Sequence, residues 1–240
     1  MAATYETKGI VLRCIKYSES SVIVDIYTLT KGLRSYIVSG LSSRKDRSKA
    51  SCYQHLNIIQ IVAYEKPAGK LARIKEQRIV QHYSTLPYDV RKSGIGLFSL
   101  EICKESIKER EPNEALYHFL EQYFVMLDNK KASLGLLPIK FLLELSTYIG
   151  IRPNENHGVK KPYLDMLAGE CVEAMNKYTL PKTITTQLYL LMNTAWDDLD
   201  DIRYSKDDRV TLLDDVVMYY KLHLDQLKEL KTLKVLREIF

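Results

Sequence analysis

The chain has 240 residues, of which 46% are hydrophobic and 27% are charged, a composition typical of a globular protein with one large or two modest domains. Its apolar runs are too short to cross a bilayer, and its first residues lack the pattern of a secretory signal, so we expect a cytoplasmic protein without membrane contact. Its four cysteines form no CxxC pair, which argues against a zinc ribbon or a redox motif.

The net charge of +5 is unevenly distributed along the chain. The first 80 residues contain 14 Lys and Arg against 6 Asp and Glu, whereas the remaining 160 contain 21 basic and 24 acidic side chains. A basic region joined to a slightly acidic one is typical of a module that binds a polyanion and is attached to a domain with another task.

The first 80 residues are predicted to form five β-strands. Segments rich in Val, Ile, Tyr and Thr lie at residues 8–17, 20–30, 32–40, 56–65 and 70–81. Turn residues connect them, and a longer connection of about 16 residues separates the third strand from the fourth. Five antiparallel strands with an insert after the third is the arrangement of an OB barrel, which often binds single-stranded nucleic acid. We therefore predict an OB-fold domain at residues 1–82.

From Pro87 onward the apolar residues recur with helical spacing. Helices are predicted over residues 86–110, 111–128, 136–150, 183–196, 207–226 and 231–239. Residues 151–175 interrupt them with an irregular segment, in which residues 163–172 suit a short hairpin around Gly169. Residues 83–240 are thus predicted to form an α-helical domain, and the fold class is α+β.

The densest cluster of positive charge is the stretch Arg44–Lys49, with four basic side chains and one acid in six residues. Basic side chains spaced by serines can neutralise phosphates and carry little sequence information. Further cations on the predicted barrel are Lys8, Arg13, Lys16, Arg34, Lys70, Arg73, Lys75 and Arg78, and stacking surfaces are offered by Tyr17, Tyr27, Tyr36 and Tyr53. Lysines that guard an exposed strand edge are the simpler explanation, but the regional excess of charge favours nucleic acid.

An acidic stretch, WDDLDD at residues 196–201, offers a different interpretation. Asp197, Asp198 and Asp201 fit the DDxxD pattern with which diphosphate transferases hold Mg²⁺. Such enzymes need a second acidic cluster on a facing helix, whereas the further acids here follow close by in the chain, as is common near helix N-termini. Because no other catalytic motif is present, we expect a protein that is not an enzyme and binds no metal or cofactor.

The order of motifs in residues 7–50 resembles the N-terminal module of the RecO family of bacterial recombination mediators. These motifs are an IVL-R start, a Y-x-E-x-S turn, a T-x-x-x-G hairpin and a glycine followed by a basic loop. Residues 148–154 (YIGIRPN) are similar to the family's G-[FI]-x-P helix end, and residues 209–240 are similar to its closing helices. The resemblance runs the length of the chain and rests on the ordered set of motifs.

This resemblance implies a protein that binds single- and double-stranded DNA, anneals complementary strands and acts with RecR to load RecA onto DNA coated by single-strand-binding protein. DNA contacts would fall on Arg13, Lys16, Arg34, Arg44, Lys45, Arg47 and Lys49, with Lys70 and Arg73 added from the barrel. The helical domain would receive the acidic C-terminal tail of the single-strand-binding protein, for which Lys130, Lys131 and Lys140 are candidates.

One departure from the family concerns zinc. Many members carry two CxxC pairs beyond the G-x-x-P element, whereas residues 154–172 contain Cys171 as their one cysteine. We therefore expect a variant without zinc, in which packing of Tyr163, Leu164, Met166 and Val172 holds this segment together. Two alternatives to DNA mediation stay open: a basic barrel that docks an acidic protein, and a Mg²⁺-dependent diphosphate transferase that uses the DDxxD acids.

Overall fold

The structure, a computed structural model, describes residues 3–41, 47–108, 110–131, 133–225 and 227–239, the side chains of Arg47 and Ser48 excepted. The chain forms two compact units, Met1–Asn129 and Lys130–Phe240. None of the helices within the described ranges combines the length and the apolarity that a membrane span requires.

The first unit is built on a closed barrel. Its strands are β1 (Thr4–Ser18), β2 (Ser21–Thr28), β3 (Gly32–Ser39), β4 (Ile58–Tyr64) and β5 (Ala72–Ile79). The barrel closes in the order β1-β2-β3-β5-β4, with β3 and β5 parallel and the other neighbours antiparallel. The inward side chains, among them Val11, Val24, Tyr36 and Ile61, form an apolar core. This strand order confirms the predicted OB fold.

A β-bulge in β1 decides which of its side chains face outward. The register with β2 shifts between Val11 and Arg13, so one extra residue is accommodated there. Val11 lies in the core, and Cys14 packs against the same core. The two residues are three apart, whereas residues on one face of a regular strand are an even number apart. Arg13 and Ile15 consequently point to the outside of the barrel.

The end of the barrel next to the β1–β2 turn is closed by a segment that begins within the basic stretch. Helix α1 (Arg47–Ser51) leads into Cys52 and Tyr53, both of which are buried in the barrel core. Leu41 donates its backbone N–H to the carbonyl of Ser20 at 3.0 Å. The start of the connection therefore lies beside the β1–β2 turn.

Two helices complete the first unit, α2 (Val90–Ser106) and α3 (Glu114–Asn129). Asp89 caps α2 by accepting hydrogen bonds from the backbone of Arg91 and Lys92. The buried carboxylate of Asp128 accepts backbone hydrogen bonds from residues 84–86 and thereby ties the segment before α2 to the end of α3. The predicted division of the chain at residue 82 remains a prediction, and α2 and α3 belong to the first compact unit.

The second unit contains helices α4 (Leu137–Tyr148), α5 (Lys182–Asn193), α6 (Lys206–His223) and α7 (Lys231–Ile239). Between α4 and α5 lies a small hairpin of β6 (Tyr163–Asp165) and β7 (Glu170–Val172), as predicted. Gly169 has a φ of +69° next to β7, where a Cβ atom would lie 2.9 Å from the hydroxyl of Tyr219. The helical region confirms the predicted α+β class.

Candidate nucleic-acid interface

The outward side chains of β1, β2, β3 and β5 form one surface, here called the outer face. Ile15, Ile23 and Ile37 are neighbours across β1, β2 and β3, and we call them the isoleucine row. Arg73 of β5 continues this row, because it is the partner of Ile37 in the parallel pair. Ile15 is 41% exposed, and Ile23 and Ile37 are half-buried. A partly exposed row of three isoleucines bordered by an arginine therefore lies on the outside of the barrel.

A polar row lies next to the isoleucine row, two residues along each strand. Arg13, Asp25 and Ser35 are neighbours across the same strands. Arg13 donates from Nε to Oδ2 of Asp25 at 2.6 Å, and the hydroxyl of Ser35 donates to Oδ1 at 2.6 Å. The side chain of Asp25 is 14% exposed, whereas that of Arg13 is 40% exposed. The carboxylate is thus largely enclosed, while the guanidinium stays accessible.

The rim of the outer face at the β1–β2 turn is also basic. Lys16 and Tyr17 lie just before the end of β1, and both are exposed, Tyr17 at 62%. Lys49 of α1 donates from Nζ to the carbonyl of Ser39 at 3.0 Å, at the end of β3. Glu19 lies in the turn itself and is exposed. The rim therefore combines cations with an exposed aromatic ring and one acid.

The structure brings several of the predicted DNA-binding residues together on the outer face. Arg13 and Arg73 lie on the outer face, and Lys16 and Lys49 lie at its rim, where Lys16 is exposed although its neighbour on β2, Val22, packs against the core. Lys70 is exposed in the loop before β5. Arg34 is different, because it alternates with Ser35 and points away from the outer face, where its Nε donates to the carbonyl of Lys31 at 2.9 Å. The predicted contacts Arg44, Lys45 and the Arg47 side chain lie outside the described residues.

Three of the four tyrosines proposed as stacking surfaces are buried, so that part of the prediction is wrong. Tyr27 is 1% exposed and donates to the carbonyl of Asn113, and Tyr36 shares a hydrogen bond at 2.8 Å with the hydroxyl of Tyr5. Burial raises the pKa of Tyr36 and that of Tyr53 above the ordinary phenol value. Tyr17 remains as the exposed ring on this part of the barrel.

Lys140, one of the lysines predicted to meet a partner, is a buried structural residue. It is 2% exposed, and its Nζ donates to the carbonyls of Leu191 and Met192 at 3.1 and 3.0 Å. It also lies 2.6 Å from Oε1 of Glu144. Lys140 thus satisfies the C-terminal carbonyls of α5 from within the unit. The prediction that Lys140 meets a partner at the surface is wrong, because its ammonium group is buried and bonds to these groups inside the unit.

The two other lysines proposed for the partner are near the start of the second unit. Lys130 is 13% exposed and forms an ion pair with Asp200 at 2.7 Å. Lys131 is exposed, and no ion pair connects it to another described side chain. Lys131 is therefore the one member of this set that presents a free ammonium to solvent.

The acidic stretch forms a short 3-10 helix, Asp197–Asp201, in which Asp200 holds Lys130. Across the described ranges, no group of three or more His, Cys, Asp or Glu side chains is arranged to hold a metal ion. The further acids have other tasks, since Asp208 completes the capping box of α6 and Asp214 pairs with Arg237. The geometry gives the diphosphate-transferase alternative no support.

The segment between α4 and α5 is held by a hydrogen-bond network in addition to the predicted packing. Leu164 is buried, whereas Tyr163, Met166 and Val172 are half-buried. Asp165 accepts hydrogen bonds from the backbone of Leu167 and Ala168 and from the side chain of Asn176. The amide of Asn156 bonds to Cys171 in both directions, and Tyr189 donates to the carbonyl of Asn154. Polar side chains therefore fix this segment, which packing arguments alone had missed.

The closed five-stranded barrel with its basic outer face and the helical region that follows define a class of protein, OB-fold proteins with a C-terminal helical domain. Residues 1–83 match the family described as Recombination protein O N terminal, and residues 87–234 match Recombination protein O C terminal. The chain belongs to the RecO family.

Relatives along the whole chain support this assignment. The chain is 35% identical to the DNA repair protein RecO of Christiangramia forsetii and 36% identical to that of Flavobacterium psychrophilum, with 98% of each chain covered. A more distant relative, the DNA repair protein RecO of Porphyromonas gingivalis, is 26% identical over 241 residues. The similarity to these relatives therefore covers both the barrel and the helical region.

Proposed function

We propose that this protein is a DNA repair and recombination mediator that binds single- and double-stranded DNA through the outer face of its barrel. The observation that carries the proposal is the placement of Arg13, Lys16, Lys49 and Arg73 on or beside one surface of an OB fold. Cations gathered on one surface neutralise phosphates and release counterions. The names of its relatives, which describe DNA repair proteins, agree with this function.

We further propose that binding serves strand annealing and recombinase loading. Neutralised backbones repel one another less, so two complementary strands can pair without any chemical step. In this role the protein acts in the bacterial cytoplasm without catalysis, together with RecR and the C-terminal tail of the single-strand-binding protein, and delivers RecA to the coated strand. Membership of the RecO family supports these roles.

A salt titration with a matched control tests the DNA-binding site. The double variant Lys16→Ala/Arg73→Ala removes one exposed cation from the outer face and one from its rim. We expect it to bind single-stranded DNA several-fold more weakly, with a salt dependence flatter by about 0.7 for each lost phosphate contact. The control Arg91→Ala/Lys104→Ala removes the same charge from α2 of the same unit. Equal losses in both variants would mean that net charge alone matters and that the outer face is not the site.

An acidic protein partner on the same face is the second candidate, favoured by the open isoleucine row. Competition separates it from DNA binding. Single-stranded DNA displaces such a partner, for example a RecR preparation bound to the wild-type chain, if both occupy the outer face. The Lys16→Ala/Arg73→Ala variant then loses the partner as well as the DNA, whereas a partner that stays bound to it uses another surface.

A further inference from the structure

The outer face carries an apolar strip in the middle of a basic surface. Ile15, Ile23 and Ile37 lie in register on three adjacent strands, and strands in a sheet lie about 4.8 Å apart. The strip is therefore about 10 Å wide. A surface that binds phosphates alone gains nothing from isoleucines in this position, since their exposure to water is unfavourable. An apolar or planar occupant would remove the exposed part of the strip from water.

Arg13 extends this strip with a planar group that is held in place. Asp25 accepts the Nε hydrogen bond at 2.6 Å and is itself fixed by the hydroxyl of Ser35 at 2.6 Å. The two terminal nitrogens of Arg13 make no hydrogen bond to another described residue. The guanidinium plane thus stands on the outer face next to the isoleucine row with its orientation set by Asp25. Such planes stack on nucleobases in protein complexes with single strands.

The charges around the strip indicate a polyanion rather than an apolar protein surface. Arg73 borders Ile37, Lys16 follows Ile15, and Lys49 lies at the end of β3. Among the described residues, the acids on these strands and their turn include Asp25, which Arg13 neutralises, Glu19 in the β1–β2 turn, and Glu76 of β5, which pairs with Lys75. An occupant with planar apolar parts and regularly spaced negative charges is complementary to this pattern.

We propose that the isoleucine row and Arg13 form a track for unpaired nucleobases, with Arg13 as a stacking residue, Asp25 as its positioning residue, and Arg73, Lys16 and Lys49 on the flanking phosphates. The proposal rests on the DNA-binding function above and adds that the protein touches base faces as well as the backbone. A duplex hides its base faces in the stack, so it contacts only the cations. The track therefore favours single strands over duplexes.

Binding to an abasic strand tests this track. The probes are a labelled dT oligonucleotide of about 12 residues and the same oligonucleotide with tetrahydrofuran in place of every base, so that both have equal charge. We expect the wild-type chain to bind the dT strand about tenfold more tightly than the abasic one. Equal affinity for both would overturn the track while leaving DNA binding intact. Binding to neither would remove the DNA-binding function and the track with it.

Conservative variants test whether Arg13 causes the preference for the dT strand over the abasic strand. Arg13→Lys keeps the charge but loses the plane, so we expect about fivefold weaker binding of the dT strand, unchanged binding of the abasic strand and an unchanged salt dependence. Arg73→Lys is the matched control, and it leaves both affinities close to wild type because a phosphate contact needs charge alone. Ile15→Ser, at an exposed position, reduces the preference for the dT strand while thermal melting confirms the fold. Loss of both probes in Arg13→Lys would contradict stacking and indicate a structural role.

Discussion

Nε of Arg13 lies 2.6 Å from Oδ2 of Asp25, so a carboxylate stands within the surface that we assign to DNA. The pair joins neighbouring strands, and the Ser35 hydroxyl holds the second carboxylate oxygen. Asp25 therefore has two opposing effects on a bound strand. It orients the guanidinium, and it repels phosphates that approach the outer face.

Asp25→Asn separates these two effects. The variant raises the net charge of the outer face by one, so we expect two- to fivefold tighter binding of duplex DNA at low salt, with a steeper salt dependence. Its preference for a dT strand over an abasic strand decreases, because a neutral amide holds Arg13 less firmly than a carboxylate does. Fluorescence anisotropy with the three probes measures both effects.

Glu19→Gln is the control for charge alone. It changes the charge by the same amount in the β1–β2 turn, away from Arg13. Tighter duplex binding without any change in base preference is expected. If Asp25→Asn leaves duplex affinity unchanged, Asp25 does not face the bound DNA.

Lys140 provides a second prediction, which concerns stability. Its ammonium group is buried against Glu144 and the carbonyls of Leu191 and Met192. Lys140→Ala leaves these acceptors without their donor, so we expect the free energy of unfolding to fall by about 3 kcal/mol in a urea titration. Lys131→Ala changes an exposed ammonium and is expected to have almost no effect. Equal stability of the two variants would show that Lys140 has no structural role.

The strand and helix pattern was accessible from the sequence, because Val- and Ile-rich segments separated by turn residues change to helical spacing near Pro87. The set of side chains that form the outer face was not accessible from the sequence. Strict alternation from Val11 would place Arg13 and Ile15 on the core side together with it. The bulge between Val11 and Arg13 reverses this assignment. No turn residue or proline in that stretch indicates a bulge.

The cations of the candidate site could be predicted from the sequence, but the residues that contact them could not. Regional charge identified Lys16 and Arg73, because a count of basic residues needs no geometry. Residues that require a partner distant in sequence were missed or misassigned. Asp25 was not singled out because its partners, Arg13 and Ser35, are 12 and 10 residues away. Lys140 looked like a surface cation because its two carbonyl acceptors lie more than 50 residues further along the chain.

The hydrogen-bond network between α4 and α5 gives a third prediction. The amide of Asn176, with the backbone of Ala168 and Leu167, holds the pKa of Asp165 below its ordinary value despite burial. Asp165→Ala leaves these donors unpaired, and we expect the free energy of unfolding to fall by about 2 kcal/mol. Trypsin cleavage after Lys160 becomes faster in the same variant, since the segment that carries this residue loosens, whereas Pro162 protects the bond after Lys161.

Two controls test whether the hydrogen bonds of Asp165 stabilise the segment between α4 and α5. Glu173→Ala changes an exposed acid in the same segment and is expected to leave unfolding and proteolysis unchanged. We expect EDTA added to the wild-type protein to leave its melting temperature unchanged, because hydrogen bonds of polar side chains hold the segment. A melting temperature that falls with EDTA and recovers with added zinc would contradict this account.

Asp215 gives a fourth prediction, in which stability changes with pH. Its half-buried carboxylate lines an apolar cavity with Leu142, Leu188 and Met192. Burial, and secondarily the charge of Asp214, raise the pKa of Asp215 from 3.8 to about 6. The folded state therefore binds a proton more tightly than the unfolded state does. This carboxyl group favours folding at acidic pH, and its contribution is lost as the pH rises from about 4 to about 6.

Asp215→Asn removes the cost of the buried charge. Because the carboxylate keeps contact with solvent, we expect a gain of about 1–2 kcal/mol at pH 7.5 rather than the roughly 3 kcal/mol of the full pKa shift, and almost no gain at pH 4. Thermal melting of both proteins between pH 4 and pH 8 measures the difference. Asp225→Asn, at an exposed position after α6, is the control and should show no pH-dependent gain. A constant difference between Asp215→Asn and wild type across this range would mean that Asp215 does not titrate there.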